Sequence, residues 1–329
     1  MKFNVLKIDF TSPFHFSNNK PDDYSKSEEV LHSDTLWAAI FKSWSILGKS
    51  EWIEEFVKNE VTISSLMPYI IGEGEEISYF FPKPLKISHH KDTESKVDRK
   101  KLKKIKYWDK AIFEKWLNNK EPTPEPDEVK GIFWTPNKID ATFLIASVVP
   151  RIRKGTTEAD PEIFYTERLY LKEKAGYYAL ITADEEQCSK ITFALEYLKD
   201  AGLGSDRNIG NGQFEFLWDT LDINCPDAYN FVYNLGVLAP QNQEVFLEML
   251  GEASRYDLIK RGGWISEPYS NLRKKSVYMF KPASVFHKTA TQTIGISIDL
   301  APQNLDIKHP VYRVGKSFLL PVMIQNYEN

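Results

Sequence analysis

Four glycines crowd into eleven residues, Gly202, Gly204, Gly210 and Gly212, within the segment GLGSDRNIGNGQF. The segment joins a stretch with helical periodicity, DEEQCSKITFALEYLKDAG, to the alternating strand QFEFLW. A helix C-cap requires a single glycine. Four of them let the backbone take positive φ and approach a ligand closely. Arg207 and Asn208, in the middle, offer donors to phosphates or to a base edge. A dinucleotide fingerprint is excluded, because G-x-G-x-x-G needs glycine where Arg207 stands and opens a helix instead of following one.

The surrounding pattern fixes where this loop sits. Residues 3–10 alternate, with Leu6, Ile8 and Phe10 on one face and Lys7 and Asp9 on the other, predicting a half-buried strand. In LHSDTLWAAIFKSWSILG, apolar residues at helical spacing predict a helix with Ser33 as N-cap and Asp34 at the positive end of its dipole. A strand over Ile77–Leu85 and a short helix near Tyr107–Leu117 follow, then the acidic proline linker EPTPEPDE. IDATFLIASVVPRIR and IFYTERLYL read as the arms of a projecting hairpin. A strand at Tyr177–Thr182 precedes the second helix, whose inner face is Ile191, Ala194, Leu195 and Leu198. This order, β-α-β-β-α-β with insertions, is ferredoxin-like.

A second round begins near Ala228, with FVYNLGVLAP, a helix from about Gln241 to Lys260, and the strands KSVYMFK, TIGISIDLA and KSFLLPVMI. The expected class is α+β, with a ferredoxin-like domain over residues 1–219 and a second domain over 220–329 that is mostly β with at least one helix. The first carries an insertion at about 83–130, a hairpin at about 146–171 and the glycine loop at 202–212. No core strand is expected in 92–120, so removing that stretch is expected to spare the fold.

The 329 residues are 42% hydrophobic and 27% charged, which suits two globular domains. No apolar run reaches the ~20 residues of a membrane helix, and the start MKFNVLKIDF does not read as a signal peptide. A cytoplasmic protein is expected. Cys188 and Cys225 form neither a disulfide framework nor a four-cysteine zinc site. The net charge of −4 argues against a generic nucleic-acid coat. Residues 83–120, however, hold 13 Lys/Arg against 5 Asp/Glu, a local +8 that leaves −12 elsewhere. A chain so divided can meet phosphates locally and present acidic faces to protein neighbours.

Val149-Pro150-Arg151-Ile152-Arg153-Lys154 places three cations where a hairpin arm ends, and arginine forks suit phosphates. A solvated strand end is the plainer alternative. Val314-Gly315-Lys316-Ser317 ends like a phosphate-binding loop, yet Pro310 replaces the first glycine and a strand follows. None of the six histidines has metal-ligand spacing. His32 is read as an orienting or RNA-contacting residue before a general base. Asp34 is read as a helix-start residue before a metal-binding or strand-cleaving carboxylate. Arg99-Lys-Lys-Leu-Lys-Lys104 reads first as a solvated face.

Taken together, HSDTLWAAI from His32, VPRIRK from Val149, FYTERLY from Phe164 and GLGSDRNIGNGQF from Gly202 resemble the RAMP superfamily of CRISPR RNA-binding proteins. RGGWI, KKSVYMFK and HPVYRVGKSFLLPV in the second half point to the branch that forms the fourth subunit of the type III-A Csm effector. The resemblance implies a non-catalytic subunit of antiviral defence that holds the 5′ tag of the CRISPR RNA (crRNA). It also implies docking to the large polymerase-like and nuclease subunit and to a backbone RAMP subunit. The hairpin would be the family's thumb, and residues 220–329 would form a second ferredoxin-like domain. The RNA-facing residues implied are Arg151, Arg153, Lys154, Gly204, Arg207, Asn208, Gly210 and Gly212, with His32 and Ser33 at the helix start. No cofactor and no metal is expected. The competing enzyme reading is a RAMP endoribonuclease that processes precursor RNA with His32 as base.

Overall fold

The structure is a computed structural model that describes all residues except 18–23, 86–96, 154–160, 266–268, 270, 291–293, 303–306, 308–309 and 326–329. Lys154 of the expected site lies outside the described residues.

Strand β1 (Lys2–Phe10) leads to helix α1 (Ser33–Ile46) and helix α2 (Glu51–Lys58). The N-cap of α1 is His32, and Ser33 is already helical. Strands β2 (Met67–Ile71) and β3 (Ile77–Pro82) follow, then α3 (Arg99–Lys104), β4 (Tyr107–Asp109), α4 (Lys110–Leu117) and β5 (Phe133–Trp134). The hairpin is β6 (Leu144–Arg153) and β7 (Glu162–Leu171). Strand β8 (Ala175–Thr182), α5 (Glu185–Ala201) and β9 (Phe214–Asp222) close the first half.

One sheet runs in the order β9-β1-β8-β2-β3-β4-β5, with the short strand Val129–Lys130 beyond β5. Its first four strands carry the β-α-β-β-α-β connectivity, and the β1 pairings with β8 and β9 are antiparallel. Helices α1 and α5 cover one face. Asp184 and Gln187 form a capping box that starts α5, and Ile191, Ala194, Leu195 and Leu198 are its buried residues, as the periodicity predicts.

Strand β1 departs from the expected half-burial. Leu6, Ile8 and Phe10 face the helices, but Val5 and Lys7 on the reverse are buried as well. The second half of the chain supplies the cover: Val5, Tyr178 and Leu180 share a core with Phe231, Tyr233, Leu320 and Val322. Lys7 reconciles its burial by pairing with Asp219 at 2.7 Å.

Residues 105–118 are likewise core and not a surface insertion. Strand β4 pairs β3, and the ring of Phe113 on α4 stacks on Phe81 at 4.3 Å and 5°. The buried Asp109 starts α4 by accepting the Ala111 N–H. Only α3 keeps the character of an added cationic surface, with Val97 and Ile105 buried at its two ends.

In the second half, β10 (Phe231–Asn234) lies between β13 (Val285–His287) and β15 (Leu319–Val322). Strand β11 (Leu258–Arg261) pairs with β12 (Val277–Phe280), and β14 (Tyr312–Val314) pairs with Ser297–Asp299. The helix expected over 241–260 is α6 (Gln243–Met249): the chain turns extended at Leu250, and its last residues become β11.

Candidate functional site

Gly202 ends α5 with φ +83°, and the loop then folds back on itself, Leu203 donating its N–H to Gly212 O. Three glycines are required by close approach, beginning with Gly202, where a Cβ would lie 2.4 Å from Asn211 O. A Cβ on Gly204 (φ +94°) would lie 2.5 Å from His15 O, and one on Gly212 (φ +80°) would overlap Leu203 O. Gly212 is therefore buried, its N–H given to Pro13 O, and it is not a ligand-facing residue as the motif implied. Gly204 is half-buried against His15. Asn208, Ile209 and Gly210 form the exposed apex on a short 3-10 turn, and Arg207 is half-buried beside them. Replacing Gly212 with alanine is expected to cost about 1–3 kcal/mol through strain at positive φ alone, with the overlap adding to it. A thermal melt unchanged from the parent chain would show that the loop has room to give.

The hairpin meets this loop. Arg151 Nη1 on β6 lies 3.0 Å from Asp206 Oδ2, so the hairpin arginine and the glycine loop that carries Arg207 converge. The segment Pro13–Ser17 straps them together. Phe14 exchanges both backbone hydrogen bonds with Leu169 at the hairpin root, while Pro13 O and His15 O accept the Gly212 and Ser205 N–H groups of the loop. His15 Nδ1 also lies 2.8 Å from Glu167 O. Arg153 pairs with Glu162 in the hairpin register.

The face of the hairpin opposite Arg151 carries a feature that residue-by-residue reading missed. Val148, Ile152, Ile163 and Tyr165 are all more than half exposed, and Ile152 and Ile163 are direct cross-strand partners. An exposed apolar block on a projecting arm marks a contact surface. Its signal was the alternation of VVPRIR, apolar on the face away from the arginines.

The other candidates lie at the seam between the two halves. Ser33 is fully buried, its N–H donated to Ser65 Oγ and its Oγ accepting the Val237 N–H. It is a structural residue and does not reach a surface where RNA could touch it. Asp34 is equally buried. Its carboxylate accepts Arg261 Nε at 2.7 Å, Arg261 Nη2 at 3.0 Å and Arg313 Nη1 at 2.8 Å. Burial alone would raise its pKa, but Arg261 and Arg313 outweigh it and hold the group well below the usual carboxylate range. It is an ionic anchor, not a helix-dipole residue on the surface. Burial, reinforced by Arg261, depresses His32 to about 4, so its ring is neutral near pH 7, with Nδ1 buried and unpartnered.

The loop Gly315–Ser317, which fails to match a phosphate loop, is internal: Lys316 Nζ donates to Phe56 O and Asn59 O, and Ser317 Oγ to Asn234 Oδ1. Among the described residues no group of three His, Cys, Asp or Glu is gathered as for a metal, and no helix is long and apolar enough to cross a membrane.

Residues 227–322 match the family model of the CRISPR Csm4 C-terminal domain. The chain is 26% identical over 386 residues to the CRISPR system Cms protein Csm4 of Methanocaldococcus jannaschii, covering 98% of this chain and 97% of the relative. It is 26% identical over 306 residues to the Csm4 of Thermococcus onnurineus, covering 89% and 92%. In fold it is similar to a chain of a Csm1-Csm4 cassette solved in complex with cA4, with TM-score 0.63, 21% identity and 99% and 100% of the two chains covered. A chain of a Csm3-Csm4 subcomplex of the type III-A interference complex gives TM-score 0.61 and 22% identity, with 98% and 99% covered. Its second half thus matches the Csm4 C-terminal domain, and along nearly its whole length the chain is similar to Csm4 proteins of type III CRISPR systems.

Proposed function

We propose that this chain is a non-catalytic, cytoplasmic RNA-binding subunit of a type III-A effector. It would hold the 5′ tag of the crRNA between the glycine loop and the hairpin, and dock the large subunit and a backbone RAMP subunit. The observation that carries this reading is the convergence of Arg151, Asp206, the half-buried Arg207 and the exposed apex Asn208–Gly210, strapped together by Pro13–Ser17. Single-stranded RNA is gripped by splayed bases and phosphate contacts, and this junction offers cations, an open apex and an apolar outer face. The sheet order supports a ferredoxin-like first domain; β10, β13, β15 and α6 would be the second, reduced one. That relatives were solved as Csm1-Csm4 and Csm3-Csm4 assemblies supports the protein partners.

The seam argues for binding over cleavage. A ring depressed to about 4 is a weak base near neutral pH, and Asp34 is consumed by two arginines. Both enzyme readings need one of these two groups.

The test is RNA affinity as a function of salt. Arg151→Ala with Arg207→Ala is expected to weaken tag RNA binding and to lower the log–log salt slope by about 1.4, two contacts at ~0.7 each on a single strand. A slope equal to that of the parent chain would remove the junction from the RNA path. On a sizing column the chain is expected to co-migrate with large subunit and crRNA; cleavage of precursor RNA lost with His32→Ala would reinstate the enzyme reading.

A further inference from the structure

Helices α2, α4 and α5 each set a glutamate one turn from a lysine: Glu54 by Lys58, Glu114 by Lys110, and Glu186 and Glu196 by Lys190 and Lys199. Helix α3 does not. Its six residues, RKKLKK, include no acid. Asp98, just before them, is engaged as the N-cap and accepts the Lys100 N–H at 2.7 Å. Lys100, Lys101, Lys103 and Lys104 are exposed, and none has an ion pair among the described residues. Such a face is costly to keep. Like charges at i,i+4, as Lys100 and Lys104 are, destabilise a helix. Arg99 and Lys100 also occupy the first turn, where the helix dipole favours acids.

Leu102 turns inward and packs with Ile105, Ile112 and Trp134. At about 100° per residue, Lys100 and Lys104 stand about 160° round from it, and Lys101 and Lys103 about 100°. The four ammoniums therefore cover the outer half of the helix, which is pinned at both ends by the buried Val97 and Ile105. Lysine is depleted at protein–protein interfaces, and arginine forks hold carboxylates better. A phosphodiester chain instead brings regularly spaced charges and releases counterions as lysines neutralise them. With no aromatic in the helix to stack on a base, the contacts are to the backbone. The helix is also joined to the glycine loop. Two residues beyond it, Lys106 Nζ pairs with Glu29 Oε2 at 2.7 Å. The adjoining Ser27–Glu28 pairs with Phe16–Ser17, and Ser17 Oγ lies 2.7 Å from Ser205 Oγ. We propose that the outer face of α3 binds the phosphodiester backbone of a nucleic-acid strand, extending the RNA path from the junction of loop and hairpin. The choice of nucleic acid over an acidic protein rests on the RNA-binding reading above.

The test measures the affinity of the full chain for a single-stranded RNA as a function of salt. Lys100, Lys101, Lys103 and Lys104 are replaced together by glutamine, a comparable helix former, and in a second variant by arginine. A control with glutamine at Lys2, Lys120, Lys138 and Lys174 removes the same charge from exposed positions elsewhere. The α3 glutamine variant is expected to lower the log–log slope by about 1.4–2.8, two to four contacts at ~0.7 each. The arginine variant is expected to keep the parent slope, and the control to move it by less than one contact. An equal fall with single-stranded DNA assigns the phosphates of either strand; a fall with RNA alone assigns an RNA strand. A glutamine variant no different from the control overturns the site. So does an unchanged slope with loss of the large subunit on a sizing column, which gives the face to a protein. Arg151→Ala with Arg207→Ala reads the junction separately. An α3 effect beside an inert junction pair sinks the junction and keeps the α3 site, and the reverse sinks only the α3 site.

Discussion

Asp34→Ala is expected to destabilise the fold by about 3–5 kcal/mol, the range for removing one partner of a buried charge pair. The carboxylate is fully buried and makes three hydrogen bonds to two guanidiniums, so its loss strands Arg261 and Arg313 beside one another in the interior. Those arginines belong to β11 and β14, whereas Asp34 opens α1, so the cluster ties the second half of the chain to the first. Urea unfolding monitored by tryptophan fluorescence measures the loss; a change under about 1 kcal/mol would show that the arginines find other acceptors. The result also separates roles, because a strand-cleaving aspartate would lose activity and keep its stability.

The same seam sets an acid limit. His32 is depressed from its ordinary 6.5 to about 4, so the unfolded chain binds its proton first. Stability therefore falls as pH drops from about 6.5 towards 4. Asp34 is also depressed, and its contribution is present above the ordinary carboxylate pKa and is lost only as pH falls below it. His32→Gln is expected to flatten the upper of these two slopes and leave the lower one.

Elements built from local periodicity were legible in the sequence. All four expected inner-face residues of α5 are buried, because a capping box, a 3.6-residue stripe and a closing glycine all lie within the helix and its ends. The two arms of the hairpin were legible for the same reason. What escaped depends on partners far along the chain. Asp34 reads as a surface helix-start residue until Arg261 and Arg313, 227 and 279 positions away, arrive on it. Val5 and Lys7 read as a solvent face until the second half covers them. Ser33 fails as a contact residue because Val237 claims its hydroxyl. Within the glycine loop, composition could not tell the glycines that admit a neighbouring backbone, Gly202, Gly204 and Gly212, from Gly210 at the open apex.

Phe113→Ala is expected to cost about 3–5 kcal/mol, the range for truncating a buried phenylalanine, and excising residues 97–118 is expected to unfold the chain. Both contradict the view of this region as a removable insertion. Phe113 is fully buried, stacked on Phe81 of β3 and 5.1 Å from the ring of Tyr233 on β10, so it sits where the sheet meets the second half. Removing it leaves a void bounded by Phe81, Trp116 and Tyr233, and Tyr233 is itself locked, donating its hydroxyl to Pro82 O. Such a site relaxes little, which places the cost toward the upper end. The lysines that made the region look dispensable lie on α3, where Lys100, Lys101, Lys103 and Lys104 are exposed. Replacing those four with glutamine is expected to change stability by no more than about 0.5 kcal/mol per residue. The contrast is the test, read from paired denaturation curves. A Phe113→Ala chain as stable as its parent would return residues 105–118 to the surface, and with them the idea that the positive charge and the fold of this segment can be separated by deletion.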